Sequence, residues 1–100
     1  MKASATTRAI LKQCEAVSEI LKSLSHPVRL KVLCQLLEGE KSVTELIDFC
    51  EISQSNMSQF LKRMKNEGMI SSRRERNKIF YQVADPRMIK LMKALKDIYT

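Results

Sequence analysis

Gln54, Ser55, Asn56, Ser58 and Gln59 set hydroxyl and carboxamide groups almost side by side, and no acid interrupts them. A carboxamide donates and accepts together, so Asn or Gln can grip an adenine edge through two bonds, while hydroxyls serve in either role. Lys62 and Arg63 follow about a turn later and are suited to phosphate oxygens. A second basic group, Arg73, Arg74, Arg76 and Lys78 with the polar Asn77 among them, could reach a phosphate or a minor-groove edge. The residue types therefore divide into base readers and backbone holders for DNA. The plainer reading is a polar helix face and a solvated charge run.

Such side chains need elements that aim them. Ser42-Val43-Thr44-Glu45 has capping-box spacing, which starts a helix at Val43 with Val43, Leu46, Ile47 and Cys50 on its apolar side. Glu51-Ile52-Ser53 supplies a turn with Ser53 as the next N-cap. A second helix is expected from about Gln54 to Glu67, ending at Gly68, which can take the left-handed conformation. Met57, Phe60, Leu61 and Met64 form its apolar face, and Ser55, Gln59, Lys62 and Asn66 lie opposite. After Gly68 the pattern changes to strands: residues 69–74 and 78–83 flank Glu75-Arg76-Asn77 as a hairpin.

Helices are expected on both sides of this segment. Ile10, Cys14, Val17, Leu21 and Leu24 recur at helical spacing and predict a first helix over about Thr6 to Ser23. Ser25-His26-Pro27 breaks it, and a second begins at Pro27, with Leu30, Leu33, Cys34 and Leu37 on one face and Gly39 at its end. Asp85-Pro86 opens a last helix whose seam is Met88, Met92, Leu95 and Tyr99. The fold class expected is mainly α, a winged helix in the order α-α-α-α-β-β-α, as one domain over residues 1–100.

Charge follows the same division. Residues 1–53 hold seven Lys and Arg against seven Asp and Glu, whereas residues 54–100 hold eleven against four, so the whole net charge of +7 lies in the second half. That is the footprint of a partner that is a polyanion. The single His, the lack of a Gly-rich phosphate loop and the lack of a partnered carboxylate cluster argue against an enzyme. No apolar stretch approaches the ~20 residues of a membrane span, and three scattered cysteines do not suggest a disulfide framework. A cytoplasmic chain without cofactor or membrane contact is expected.

The run SHPVRLKVL, the stretch SQSNMSQFLKRMKNEGMI and the basic hairpin ending in IFYQV together resemble the ArsR/SmtB family of bacterial winged-helix repressors over nearly the whole chain. The resemblance implies a homodimer paired through the first and last helices that binds an inverted-repeat DNA operator and represses transcription. Two terminal helices with apolar seams in so short a chain are consistent with that, and Ile10, Cys14, Val17, Leu21, Met88, Met92, Leu95 and Tyr99 are the interface residues it implies. A winged-helix module for protein contacts is the alternative, since fold does not fix function.

The family's metal sites do not carry over. Where metal-sensing relatives keep a Cys-Val-Cys-like triplet this chain has Ser42-Val43-Thr44, and residues 86–100 contain no His. No metal site is therefore expected, although a non-standard metal or metalloid site is a further alternative. His26 reads as a helix cap or surface residue. The string RLKVLCQLLEGEKSVTEL resembles the persulfide- and redox-responsive branch, whose first cysteine matches Cys34, but Thr100 stands where the second would be. Cys34 is thus the candidate thiol sensor, with three readings open: a core thiol, as its place among Leu30, Leu33 and Leu37 favours; a thiol reacting alone; or one coupled to Cys14 or to a partner subunit. The inducer is not readable from the chain.

Overall fold

The computed structural model describes residues 4–100, and within them six helices and three strands follow in the order α1 (Ala5–Leu11), α2 (Cys14–Leu24), α3 (Pro27–Leu36), β1 (Lys41–Ser42), α4 (Val43–Cys50), α5 (Gln54–Asn66), β2 (Ile70–Glu75), β3 (Lys78–Val83) and α6 (Pro86–Tyr99). The strands form one antiparallel sheet, β1-β3-β2, with Lys41 opposite Tyr81, Ile70 opposite Val83 and Glu75 opposite Lys78. This is the expected winged-helix arrangement with two additions.

First, the expected initial helix is two helices. Gln13 sits at φ −107°, ψ 2°, and its N–H bonds the Ile10 carbonyl three residues back, so the ladder tightens and restarts at Cys14. α1 has no buried residue, so no packing holds the two pieces in line. Second, Lys41–Ser42 adds a two-residue strand to the hairpin's edge, too short for any alternation to reveal.

Local signals set the remaining ends. Ser42 Oγ accepts from the Glu45 N–H (3.2 Å) while Glu45 Oε1 accepts from the Ser42 N–H (3.1 Å), closing the capping box of α4. Ser53 Oγ accepts from the Asn56 N–H at 3.2 Å, His26 Nδ1 from Val28 N–H at 3.1 Å, and Asp85 Oδ1 from Arg87 N–H at 2.9 Å, so α5, α3 and α6 each start on a side-chain cap. At the end of α5, Gly68 takes φ +78°; its N–H bonds the Lys65 carbonyl and the Met69 N–H bonds Met64, a Schellman closure.

The core joins Leu24, Val32, Leu33 and Leu36 to Leu46 and Cys50, to Met57, Leu61 and Met64 of α5, and to Met69, Ile70, Met88 and Met92. Two expectations are corrected here. Met88 and Met92, assigned to an intersubunit seam, are 2% and 3% exposed in the single chain, because the first turns of α6 pack onto α3 and β3. Cys34, favoured as a core thiol, is exposed. The buried face of α3 is Arg29, Val32, Leu33 and Leu36, the same i, i+3, i+4, i+7 template moved by one residue, with Leu30 and Leu37 only half-buried.

The shift is made possible by how Arg29 is partnered. Its Nη1 donates to the Ser23 carbonyl (2.8 Å) and to Ser23 Oγ, and lies 3.4 Å from Glu67 Oε2, which also accepts from the Ser23 hydroxyl. A buried guanidinium held this way ties the end of α2 to the end of α5. Unpaired, it would be a strongly destabilising buried charge.

Candidate nucleic-acid interface

α4, the three-residue turn Glu51–Ser53 and α5 form a helix-turn-helix. The chain reverses at Glu51, which occupies the left-handed region at φ 55°. α5 anchors Met57, Leu61 and Met64 in the core, and half-buried Phe60 meets the His26 ring at a centroid distance of 4.7 Å. With that face held, the opposite one is turned outward: Gln54, Ser55, Asn56, Ser58, Gln59, Lys62 and Arg63 are all exposed. The Ser53 cap leaves the first turn of α5 free to approach a base edge with its N-terminal residues, the geometry in which a recognition helix enters a major groove.

The hairpin stands beside α5 as a wing. Lys65 Nζ donates to Ser72 Oγ at 2.7 Å and joins the last turns of the helix to β2. Arg74, Arg76, Asn77 and Lys78 are exposed around the tip, where Arg76 takes φ 56°. Arg73 is placed differently from the expectation. It clasps the Glu40 carboxylate through Nε (2.8 Å) and Nη2 (2.6 Å), reaches Glu75 through Nη1 (3.0 Å), and lies over the Phe80 ring, 4.9 Å from its centroid. Its fork is filled by carboxylates of its own chain, so it braces the wing against the α3–α4 link.

Acidic groups are disposed so that the outward face stays positive. Glu67 is tied to Ser23 and Arg29, Glu75 to Arg73, and Asp85 to Arg87 at 2.8 Å. The hydrogen bond from Arg73 holds the Glu40 carboxyl below the usual carboxylate range, and the bond from Arg87 does the same to Asp85. Glu40, Lys65 and Ser72 were not marked by sequence reasoning: Glu40 and Arg73 lie 33 positions apart, beyond the reach of periodicity or capping patterns.

Of the thiols, Cys14 and Cys34 are exposed and Cys50 is buried, its pKa pushed up by burial. Among the described residues no three His, Cys, Asp or Glu side chains gather as a metal-binding set, and no helix is long and apolar enough to cross a membrane.

A helix-turn-helix with a polar recognition face and an antiparallel basic wing defines a winged-helix DNA-binding regulator. Residues 26–72 match the family model described as bacterial regulatory protein, arsR family. The biofilm growth-associated repressor of Xylella fastidiosa is 40% identical over 88 residues, 88% of this chain and 77% of that protein. The crystal structure of the transcriptional repressor BigR from Xylella fastidiosa superposes with a TM-score of 0.89 at 37% identity, covering 94% of this chain and 96% of that one. A solution structure of Mb0332 from Mycobacterium bovis, described as a homodimeric winged helix-turn-helix DNA-binding domain, matches with a TM-score of 0.74 at 25% identity over 96% and 86% of the two chains. The chain belongs to the arsR family of bacterial regulatory proteins, and it is a transcriptional regulator.

Proposed function

We propose that this chain is a single winged-helix domain over residues 1–100 that acts in the cytoplasm as a homodimeric repressor, binding an inverted-repeat operator and carrying out no catalysis. The observation that carries the reading is the exposed face Gln54–Arg63 of α5, cleared of acid and set beside the wing. Gln54, Ser55, Asn56, Ser58 and Gln59 read base edges, while Lys62, Arg63, Arg74, Arg76, Asn77 and Lys78 hold the backbone. Dimerisation is supported by apolar side chains left uncovered at both ends of the chain: Ile10, Leu11 and Leu21 early, and Ile98 and Tyr99 late, at 52–81% exposure. Cys14, half-buried Val17 and half-buried Leu95 lie on the same helices. The homodimeric description of Mb0332 and the repressor name of the Xylella relative support the same reading. Cys34, exposed, remains open to thiol chemistry.

Fluorescence anisotropy with a palindromic promoter-derived duplex and a scrambled one, each at several salt concentrations, tests this. Binding should prefer the palindrome and weaken steeply with salt as counterions are released. Gln59→Ala should narrow the gap between the two duplexes, whereas Arg74→Ala should weaken both and reduce the salt slope by about 1. Absence of both salt dependence and preference would favour the protein-interaction module instead.

A further inference from the structure

A cleft of about 660 Å³ lies between α2 and α5, with Arg63 of the exposed face of α5 among its lining residues. This is within the usual size of small-molecule sites. Ile20, Phe60 and Met69 give it apolar walls, and Arg29 also lines it. Of the other charged groups around it, Lys22 and Arg63 are cationic and Glu19 and Glu67 anionic.

The arginines of this chain show what Arg29 leaves undone. Arg73 clasps Glu40 along its Nε–Nη2 edge, and Arg87 clasps Asp85 along the same edge at 3.1–3.2 Å and 2.8 Å. Arg29 uses Nη1 alone; its Nε and Nη2 make no hydrogen bond with any described residue. Arg29 is 7% exposed, and no fully enclosed side-chain nitrogen among the described residues is without a partner, so these two atoms keep a small accessible surface in a residue that lines the cleft. The planar edge that best matches a carboxylate is therefore without a partner among the described residues, on a guanidinium that Nη1 anchors to Ser23 and Glu67 beside the cleft.

We propose that this cleft binds a small organic carboxylate, its two oxygens on Arg29 Nε and Nη2 and its apolar body against Ile20, Phe60 and Met69. Glu67, whose Oε2 is 3.4 Å from Arg29 Nη1, opposes the ligand's charge and limits its affinity. Because Glu67 caps α5, the occupant sits against the C-terminal end of the helix that carries Gln54–Gln59 at its other end.

The test uses the full chain without DNA, so that its outcome is independent of operator binding. Phenylacetate is titrated by calorimetry and by ¹⁵N NMR of the Arg29 Nε–H, with 2-phenylethanol as the neutral control. Phenylacetate should bind and shift that resonance while 2-phenylethanol should not. Glu67→Gln, an exposed position, should tighten phenylacetate binding about tenfold, since a like charge a few ångströms away shifts such equilibria by about a pK unit. Arg29→Lys, which keeps the charge and loses the fork, should abolish it. Equal binding of the acid and the alcohol, or unchanged phenylacetate affinity in Glu67→Gln, would overturn the proposal even if Arg29→Lys fails to fold.

Discussion

Glu51 turns the chain between α4 and α5 with a left-handed backbone, φ 55°, that side chains with a Cβ adopt at a cost. Its side chain is exposed and makes no hydrogen bond to a described residue, so nothing local offsets that strain. Glu51→Gly should raise stability by about 1 kcal/mol in thermal or urea unfolding. A lowered midpoint would mean that the carboxylate has a role in the turn. The cysteines differ as sharply. Cys34 should react within the first phase of a thiol-reagent assay on the native protein, and Cys50 only on unfolding, because burial both shields it and disfavours its thiolate. Prompt labelling of Cys50 would indicate that α4 opens readily.

The wing is held by carboxylates and not only by its ladder. Arg73 carries Glu40 and Glu75 on separate edges of its guanidinium, and Lys65 ties Ser72 to α5. Glu40 has a folded pKa lowered chiefly by the hydrogen bond from Arg73. A lowered folded value means that the brace contributes above the carboxyl's unfolded pKa and is lost as pH falls through the folded one. Amide exchange in β2 and β3, corrected for its intrinsic pH dependence, should therefore stay protected into mildly acidic solution and then accelerate. Glu40→Gln should remove that acid step and loosen the wing at neutral pH. If exchange in the variant matches wild type throughout, β2–β3 pairing alone holds the wing. The side chains are partly solvent-exposed, so the effect is one of wing order more than of global stability.

The described chain is elongated, 57 × 29 × 20 Å, with a radius of gyration of 15.5 Å. A compact domain of this length would have about 13 Å. α1 buries nothing and Tyr99 at the other terminus is 81% exposed, so both ends hold apolar surface that a second copy would cover. Leu21→Glu should shift the mass in sedimentation equilibrium from dimer to monomer and weaken operator binding, with the core intact by circular dichroism. Cys14 should be protected from thiol reagents in the wild type at concentrations where the dimer forms and become reactive in this variant. A variant that sediments as the wild type does would place the interface elsewhere.

Much of the fold is legible in the sequence because its signals are local. The capping box at Ser42–Glu45, the Ser53 cap, the glycine closing α5 and the apolar stripe Met57–Leu61–Met64 each act within about a turn of helix, and from them the exposure of Gln54, Ser55, Asn56, Ser58 and Gln59 follows. Choices between competing local patterns are different. On α3 the wholly apolar template Leu30, Leu33, Cys34 and Leu37 competes with one a residue earlier that includes the charged Arg29; Arg29's partners Ser23 and Glu67 come from other elements, and packing against them turned Cys34 outward and Arg29 inward. The same holds for Met88 and Met92, drawn into the chain's own core, and for Arg73, claimed by Glu40 across 33 positions. Caps and periodicity alone thus determined which helices form and which residues the recognition helix offers. Only the tertiary structure decided which charges are already paired within the chain, and that left Nε and Nη2 of the buried Arg29 without a partner among the described residues, since pairing depends on distances between elements that no local pattern encodes.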